Sequence, residues 1–362
     1  MKGEDAARCF YGGGNFTRVG AMPPTTLRLL QDKGSVQSLD GQAHAHRKTL
    51  FMAMMSTPSV ESAADRLGAH WRDFARDQHG PFRLHEAMQH VLCRTACEWA
   101  GIHLSAEDLG KRTAEMSAMI GAAGSLNLAV PRALVLRRRA ERWAKGVVSA
   151  ERLSGTAPAG SPLARIAAHQ DERGRPLPLE TAAVELLNII RPTVAVARFV
   201  TFAAMALQER PDWRERLARF DMMDMCCFAQ EVRRYYPFFP VVGGRAVRSF
   251  EWGGHSFVEG DWALLGLYAT NHDPALWQEP HKFEPDRFQG FDSNGYDFVP
   301  QGAGLYHNDH RCPGEPLTVS LMGRMAAELA RCDYDVPEQD LTIPMNRFPT
   351  LPGSGFIMQF RR

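Results

Sequence analysis

The residues whose types and spacing are most indicative of chemistry surround Cys312. This cysteine lies in the run Arg311-Cys312-Pro313-Gly314-Glu315, directly before an apolar helical pattern, and Gly302 and Gly304 precede it. A helix N-terminus and a neighbouring arginine favour the thiolate form of a cysteine, and glycines let the backbone approach a flat partner closely. The segment is therefore typical of a site that holds a thiolate against a large planar cofactor. A buried structural cysteine in a turn is the alternative.

A second candidate is Arg191, which lies within the long apolar segment Leu179 to Gln208. A guanidinium group inside an apolar helix is costly unless an anion pairs with it, and no carboxylate lies within one helical turn. Arginine can hold a carboxylate through two parallel hydrogen bonds. The sequence therefore predicts that Arg191 binds the carboxylate of a substrate. A salt bridge to an Asp or Glu that is distant in the sequence is the alternative.

Two further charged segments precede the cysteine in the chain. Glu231 and Arg234 are three residues apart, on one face of a helix predicted over 224–236. Such a pair alone contributes only about 0.2–0.5 kcal/mol and is common by chance. It is followed by Phe283-Glu284-Pro285-Asp286-Arg287-Phe288 and then by the Cys312 loop. The order of the three segments is more informative than any one of them.

The elements that must position these residues are mostly helical. The segment Leu179 to Gln208 is apolar nearly all round, so we expect it to cross the core with a kink at Pro192. Beyond Pro240, short alternating stretches and glycine pairs predict a small β component. The predicted fold class is therefore mainly α with small β-sheets, without the strand–helix alternation of a doubly wound sheet. The predicted helices cover 60–78, 84–101, 131–153, 224–236 and 317–331, and the predicted strands lie within 241–257, 262–268 and 337–360.

The composition excludes several classes of function. The 362 residues carry 42 Lys and Arg against 41 Asp and Glu, so the excess of one sign that is typical of a nucleic-acid or membrane-surface binder is absent. The run Arg137-Arg138-Arg139 is accordingly expected to be a solvated face. No stretch is expected to form a membrane span or a signal peptide. Seven cysteines without a Cys-x-x-Cys pair favour a reducing cytoplasm over a disulfide framework.

Taken in order, the Glu231–Arg234 pair, the Arg287 segment and the Cys312 loop resemble the cytochrome P-450 superfamily, and the likeness extends over essentially the whole chain from Phe10. The resemblance implies a single domain over 1–362 that binds haem b (iron protoporphyrin IX) between the long core helix and the cysteine loop with its helix. It also implies that Cys312 is the axial thiolate ligand of the haem iron, as in other members. Glu231, Arg234 and Arg287 would form a structural lock.

Within the superfamily the chain is similar to the fatty-acid peroxygenases, which use hydrogen peroxide to hydroxylate long-chain fatty acids at the α or β carbon. The likeness is carried by Arg191-Pro192, where typical monooxygenases have an acid–alcohol pair, by about six extra residues (Leu305 to His310) before the cysteine, and by the run Tyr268 to Trp277. It implies that the substrate carboxylate, held by Arg191, carries the proton needed to break the O–O bond of the peroxide. No redox partner protein would then be required.

The early part of the chain adds further expectations by resemblance. Arg18, His44 and Lys48 match residues that bind the haem propionates, although a solvated basic helix start would look the same. Gln37 matches the position over the haem where hydroxylating relatives carry Gln and alkene-forming ones favour His; as a lone residue it would pass for an ordinary loop glutamine. Relatives ordinarily have an N-terminal helix and strands before the segment matching Phe10-Tyr11. We therefore expect this chain to lack those elements and to have a more open tunnel mouth or a shortened sheet.

Three other functions stay open at this point. The first is a fatty-acid decarboxylase that forms terminal alkenes on the same scaffold, which the Gln at position 37 disfavours. The second is a monooxygenase that depends on a reductase, which Arg191-Pro192 disfavours. The third, of another class, is a non-catalytic protein that binds haem or lipid. The expected partners of the enzyme are a long-chain fatty acid and hydrogen peroxide, with no nucleic acid and no membrane span.

Overall fold

The computed structural model describes residues 1–32, 34–124, 127–346 and 348–361. Most of them are helical, and the fold class predicted from the sequence is confirmed. The helices are Glu4–Tyr11 (α1), Pro24–Leu30 (α2), Gly41–Met52 (α3), Thr57–Asp77 (α4), Leu84–Ala100 (α5), Ala106–Ala122 (α6), Ala129–Ser154 (α7), Pro162–Ala168 (α8), Leu179–Ala195 (α9), Ala197–Glu209 (α10), Pro211–Leu217 (α11), Met222–Tyr235 (α12), Leu267–Asn271 (α13) and Glu315–Arg331 (α14). The strands are Phe16–Thr17 (β1), Phe82–Arg83 (β2), Val241–Ala246 (β3), Phe250–Trp252 (β4), His255–Phe257 (β5), Trp262–Gly266 (β6), Tyr334–Asp335 (β7) and Ile357–Phe360 (β8).

The predicted amphipathic helices correspond to α4, α5, α7, α12 and α14, with ends shifted by a few residues. Helix α5 stops because Gly101 adopts a left-handed conformation with φ of 88°, which a residue with a Cβ rarely adopts. Helix α6 has no counterpart among the predicted elements. Its start carries a recognisable signal, since Ser105 Oγ accepts a hydrogen bond from the backbone N–H of Asp108 and so caps the first turn.

The long apolar segment is divided into α9 and α10, but not at Pro192. The helix continues through Pro192 and is interrupted at Val196, whose backbone N–H donates to Thr193 O at 3.2 Å in a tightened turn. Pro192 leaves the carbonyl of Asn188 without its helical donor. Thr193 Oγ1 also donates to Ile189 O at 2.8 Å, a side-chain bond that bends helices. The interruption therefore follows the proline by one turn.

This segment corrects one expectation from the sequence. The stretch from Leu179 to Glu209 is long and apolar enough to span a membrane, whereas no such stretch is expected from the sequence. However, 94% of its most apolar window is buried inside the protein. Its apolar surface is therefore satisfied by the packing of other helices, and α9 and α10 form the centre of the main core together with α5, α7 and α14.

The sheets are small and antiparallel. Strand β3 pairs with β1 and β6, β8 pairs with β2 and β7, and β4 with β5 forms a hairpin. The hairpin turns at Gly253-Gly254, both with positive φ, as a two-residue turn requires. The other glycine pair of this predicted β component, Gly243-Gly244, does not form a hairpin turn. It lies inside β3, where a Cβ on Gly243 would lie 2.6 Å from the carbonyl oxygen of Ala21.

Three other local predictions need correction. The strand predicted over 262–268 is confirmed over Trp262–Gly266 but ends there, because Leu267 begins α13. Within 337–360 only Ile357–Phe360 forms a strand among the described residues. Arg137 is not solvated but fully buried, where its Nε donates to Glu141 Oε1 at 2.7 Å and its Nη groups donate to carbonyls of α2 and of the residue that follows it. Its neighbours Arg138 and Arg139 are exposed as expected.

Candidate active site

A cavity between α9 and the Cys312 loop contains most of the predicted site residues. The space between its walls, counted together with the opening to solvent, is about 1400 Å³. Its walls are largely apolar, with Ile120, Phe199, Phe238 and Phe239 among them. The predicted site residues that line it are Gln37, His44, Lys48, Arg191, Pro192 and Cys312.

Cys312 lies three residues before the start of α14, in a loop with few conformational options. Its backbone N–H donates to Gln301 O at 3.1 Å, and the backbone N–H of Gly314 bonds its sulfur. Burial raises the pKa of the Cys312 thiol, and the charge of Glu315 adds to this effect, while Gly314, Arg233 and Lys48 act in the opposite direction. A bound metal ion would deprotonate such a thiol outright.

A charged cluster ties the cysteine loop to α12. Glu315, at the start of α14, accepts a hydrogen bond from Arg311 Nε at 2.6 Å with one oxygen and one from Arg233 Nη2 with the other. Both side chains of the Arg233–Glu315 pair are buried. The residues on either side of Cys312 are thus fixed to two helices, which holds the sulfur at a defined position.

The extra residues before the cysteine form an ordered loop. Leu305 N–H donates to Asp309 Oδ2 at 2.7 Å, and Tyr306 Oη donates to Pro313 O at 2.6 Å. Gly304 takes a φ of 96°, and a Cβ there would collide with the Asp309 side chain. The insertion therefore closes on itself and on the cysteine segment, so it lengthens the loop without loosening it.

The three residues expected to bind propionates are placed differently. The ring of His44 lines the cavity and stacks on His310 at 3.9 Å between centroids. Burial, together with the charges of His310 and Lys48, lowers the pKa of His44 to about 3. Lys48 Nζ lines the same cavity but donates to the carbonyls of Asp309 and Arg311. Arg18 does not line it, and its buried Nη1 has no hydrogen-bond partner among the described residues.

Arg191 is buried and has no ion pair within the part of the chain that the structure describes. Its Nη2 donates to Leu30 O and to Asn188 Oδ1, the latter at 2.7 Å, while Nη1 is buried without a partner. Burial lowers the pKa of Arg191 well below its ordinary value, and Arg137 acts in the same direction while Glu185 opposes it. The alternative of a salt bridge to a distant carboxylate does not describe this arginine.

Two functional candidates were missed by the sequence reading. Asn188 lies between Arg191 and Glu185: its Oδ1 accepts from the guanidinium, and its Nδ2 donates to Glu185 Oε2 at 2.9 Å and to Gln37 Oε1 at 3.3 Å. Glu185 also accepts from Arg47 Nη1 at 2.7 Å. The spacing of three residues along α9 was the available signal, since residues at i, i+3 and i+6 share one helix face.

The predicted lock is assembled away from the cavity. Arg234 donates to both oxygens of Glu231 at 2.6 and 2.7 Å, and Arg287 Nε reaches Glu231 Oε1 at 3.3 Å. Arg234 further donates to the carbonyls of Asn271, Pro280 and Lys282. Both members of the central pair are completely buried. The lock thereby fixes the coil that leads to the cysteine loop against α12.

Comparison with known families and curated proteins gives a partial match. The family model described as Cytochrome P-450 matches residues 206–357, which include the lock and the cysteine loop. Carnosic acid synthase of Rosmarinus officinalis is 30% identical over 105 residues, and rhazimal synthase of Alstonia scholaris is 31% identical over 103. These matches cover 28% and 27% of this chain. They span only about a fifth of the length of those relatives, 20% and 19%.

Solved structures match the whole chain. Cytochrome P-450SP alpha (CYP152B1) in complex with (R)-ibuprofen has a TM-score of 0.94 at 40% identity, covering 99% of this chain and 89% of that one. Cytochrome P-450EX alpha (CYP152N1) with myristic acid has a TM-score of 0.93 at 38% identity, covering 99% and 87%. A variant of cytochrome P-450 OleT in complex with arachidonic acid has a TM-score of 0.94 at 32% identity, with the same coverage as the second.

A cysteine loop before a helix, a buried Glu–Arg lock and a cavity beneath a long core helix define the fold and site of a cytochrome P-450. This chain belongs to that superfamily, and within it to the fatty-acid peroxygenase family CYP152. The family implies a haem cofactor, and the residues present fit one. Cys312 would supply the sulfur that holds its iron, and His44 presents to the same cavity a ring without a hydrogen-bond partner among the described residues.

Proposed function

We propose that this protein is a haem-thiolate peroxygenase that hydroxylates long-chain fatty acids at the α or β carbon with hydrogen peroxide. The balanced reaction converts R–H and H₂O₂ into R–OH and H₂O, so neither a reductase nor a nicotinamide nucleotide takes part. The observation that carries the proposal is the guanidinium of Arg191. It is a cation without an ion pair in the described chain, and it lines a largely apolar cavity together with Cys312.

The chemistry of the substrate follows from this cavity. A charged head group and a long apolar body are what a buried guanidinium and an apolar wall bind together. The similar structures named above hold (R)-ibuprofen, myristic acid and arachidonic acid, and all three ligands are carboxylic acids with an apolar body. We infer that Arg191 Nη1, which has no partner among the described residues, donates to the substrate carboxylate and anchors carbons 2 and 3 nearby.

We assign the cofactor as haem b, iron protoporphyrin IX, whose iron the sulfur of Cys312 would hold. When bound, this group supplies the redox chemistry that activates the peroxide. His44, Lys48 and Arg18 are assigned to the propionates, which requires Lys48 to exchange its present carbonyl partners. The sequence has no Cys-x-x-Cys-His segment for covalent attachment, which supports a haem held by coordination and packing.

The remaining residues of the cavity have defined tasks in this proposal. Peroxide must lose a proton from one oxygen and gain one on the other before its O–O bond breaks, and a group within hydrogen-bond reach must carry that proton. No Asp or Glu lines the cavity among the described residues. We assign this task to the substrate carboxylate held by Arg191. Pro192 fixes the helix beside it, and the amide of Gln37, held by Asn188, faces the same space.

Incubation with myristic acid and hydrogen peroxide, followed by product analysis, tests the proposal. We expect 2- or 3-hydroxymyristic acid as the main product, with catalase abolishing the reaction. A terminal alkene as the main product would instead assign the decarboxylase reaction, in which RCH₂CH₂COOH and H₂O₂ give RCH=CH₂, CO₂ and two H₂O. Turnover with a redox partner and oxygen in the presence of catalase would assign a monooxygenase, and inactivity of haem-loaded protein across chain lengths would assign a binding protein.

The place of action proposed is the cytoplasm. The described cysteines are all free thiols, which is the expected state in a reducing compartment. Among the described residues, the one helical stretch that is long and apolar enough to span a membrane is packed within the core. The near balance of positive and negative charges supports the absence of a nucleic-acid partner.

A further inference from the structure

Four polar side chains form a line that ends at the cavity. Arg47, on α3, donates to Glu185 Oε1 at 2.7 Å. Glu185 Oε2 accepts from Asn188 Nδ2 at 2.9 Å, and Asn188 Oδ1 accepts from Arg191 Nη2 at 2.7 Å. All four side chains are buried, and the last three share one face of α9. The line thus joins a buried anion to the buried cation of the active site through one amide.

The charge of Glu185 bears on whether Arg191 is available to a substrate carboxylate. Glu185 is completely buried on the same helix as Arg191, and its charge acts on that guanidinium. A carboxylate free to turn toward Arg191 would neutralise it and compete with a substrate carboxylate for the same hydrogen bonds. In the structure it does not turn, because both oxygens are already engaged: Oε1 by Arg47 and by the backbone N–H of Val36 at 3.0 Å, and Oε2 by Asn188.

We propose that Arg47 is a positioning residue that withholds Glu185 from Arg191 and so keeps the guanidinium of Arg191 available to the carboxylate of a substrate. This inference rests on the proposed function and deepens it. Arg47 does not line the cavity, so it acts through Glu185 and not by touching the acid.

The charge balance of the cluster supports this assignment. Arg47 and Arg191 carry two positive charges and Glu185 one negative charge, so the buried group has one cation in excess. Arg137, the other guanidinium that acts on Arg191, has its own partner in Glu141 at 2.7 Å. A substrate carboxylate therefore completes the neutralisation of a cluster that the protein leaves one charge short.

The same bonds place Gln37. The Val36 N–H that donates to Glu185 belongs to the short helical turn Val36–Ser38, which carries Gln37. The side chain of Gln37 accepts from Asn188 Nδ2 at 3.3 Å. Glu185 therefore contacts both the turn that carries Gln37 and the amide that contacts Arg191.

The test is a charge-removal cycle on the haem-loaded enzyme, with binding of myristic acid followed through the Soret band. Arg47→Gln frees the carboxylate of Glu185, so we expect myristic acid to bind about tenfold more weakly or worse. Glu185→Gln removes the competing charge, so binding as tight as in the wild type or tighter is expected. The double variant R47Q/E185Q lacks both charges and is expected to bind within about threefold of the wild type.

Two controls separate this role from general damage to a buried ion pair. Arg112→Gln breaks a comparably buried pair, Arg112–Glu115 at 3.0 Å, that lies outside the cavity, and it should leave myristic acid binding unchanged. The methyl ester of myristic acid lacks the carboxylate, so its binding should not respond to Arg47→Gln. Haem content and thermal unfolding of each variant identify losses of fold.

The possible results test the role of Arg47 and the proposed function separately. Wild-type binding of myristic acid by R47Q, or a double variant that binds as weakly as R47Q, overturns the role of Arg47. If R47Q does not hold haem, the Glu185→Gln variant provides the test. Weaker binding of myristic acid by that variant, with no recovery in R47Q/E185Q, would show that the Arg47–Glu185 pair is only structural and would overturn the role of Arg47. If the wild type itself does not bind myristic acid, the proposed function fails and not this inference alone.

Discussion

Arg234 and Arg191 are both buried arginines on core helices, yet their guanidinium groups have very different partners. Arg234 forms two short hydrogen bonds to Glu231 and three more to backbone carbonyls, so its charge and its donors are both satisfied. The guanidinium of Arg191 donates to one backbone carbonyl and to one side-chain amide oxygen, and its buried Nη1 has no partner among the described residues. The charge of Arg234 is therefore neutralised by a neighbouring carboxylate, whereas the charge of Arg191 has no such partner among the described residues.

The difference supports the proposal that Arg234 serves stability and Arg191 serves substrate binding. A buried pair such as Glu231–Arg234 costs desolvation, which its geometry offsets, and removing one partner leaves an isolated buried charge. Arg191 already resembles such an isolated charge, since it has no ion pair among the described residues. A group kept in this state on the wall of a cavity is favourable only when a ligand supplies the missing anion.

Arg198 shows that the lack of a partner is not sufficient. This arginine of α10 is also buried, and its Nε and Nη1 have no hydrogen-bond partners within the described residues. Burial lowers its pKa to about 10. However, Arg198 does not line the cavity that contains Cys312. The functional assignment of Arg191 therefore requires both conditions, an incomplete set of partners and access to the cavity.

The largest effect is expected at the satisfied arginine. Arg234→Ala leaves Glu231 buried without its main counter-ion, so we expect the free energy of unfolding to fall by about 3–5 kcal/mol, a large share of a typical domain's stability. Urea unfolding and the yield of haem-loaded protein measure this. Lys282, an exposed residue paired with Glu279, provides the control, since Lys282→Ala should change little. Full stability of Arg234→Ala would remove the distinction between the two arginines.

The converse result is expected at Arg191. Arg191→Ala removes a buried, incompletely paired charge, so stability should fall little while binding of the fatty acid weakens by about 2–5 kcal/mol. Haem content should be retained. Spectral titration with myristic acid, product analysis with peroxide and urea unfolding measure the three quantities. Undiminished turnover in this variant would contradict the anchoring of the carboxylate, whatever its stability.

The contrast between the two arginines could be read in part from the sequence. Glu231 and Arg234 are three residues apart, so the pair is local and visible, and the lack of a carboxylate near Arg191 is equally local. The position of Cys312 before a helix was also local information. These features were predictable because helix geometry alone brings residues three or four apart together.

What the sequence did not show depends on contacts between distant segments. Arg47 and Glu185 are 138 residues apart in the chain, and Arg137 meets the carbonyl of Leu29 across 108. A basic run such as 137–139 looks solvated until packing buries one of its members. The break at Val196 is set by Thr193 as well as by Pro192, so its place could not be read from the proline alone.

The smallest effect is expected at Arg198 and sharpens the condition of cavity access. Replacing Arg198 by Met removes a buried cation that does not line the cavity, so we expect binding of myristic acid to be unchanged and the free energy of unfolding near pH 7 to rise by about 1 kcal/mol. Urea unfolding and spectral titration measure both. Loss of fatty-acid binding in this variant would show that an unpaired arginine outside the cavity also serves the substrate.

The same variant has a signature in its pH dependence. Burial, together with the charge of Arg198, lowers the pKa of His85 to about 3. The unfolded chain protonates this histidine near pH 6.5, so between about pH 6.5 and about pH 3 it binds more protons than the folded chain, and stability falls as the pH decreases. Without Arg198 the pKa of His85 should rise, so this loss of stability should level off at a higher pH.

Urea midpoints measured from about pH 7 to about pH 4 test this, with His85→Gln as the control that lacks the titrating group. Parallel curves for Arg198→Met and the wild type would show that burial alone keeps His85 neutral, and that the unpaired guanidinium of Arg198 acts on nothing around it.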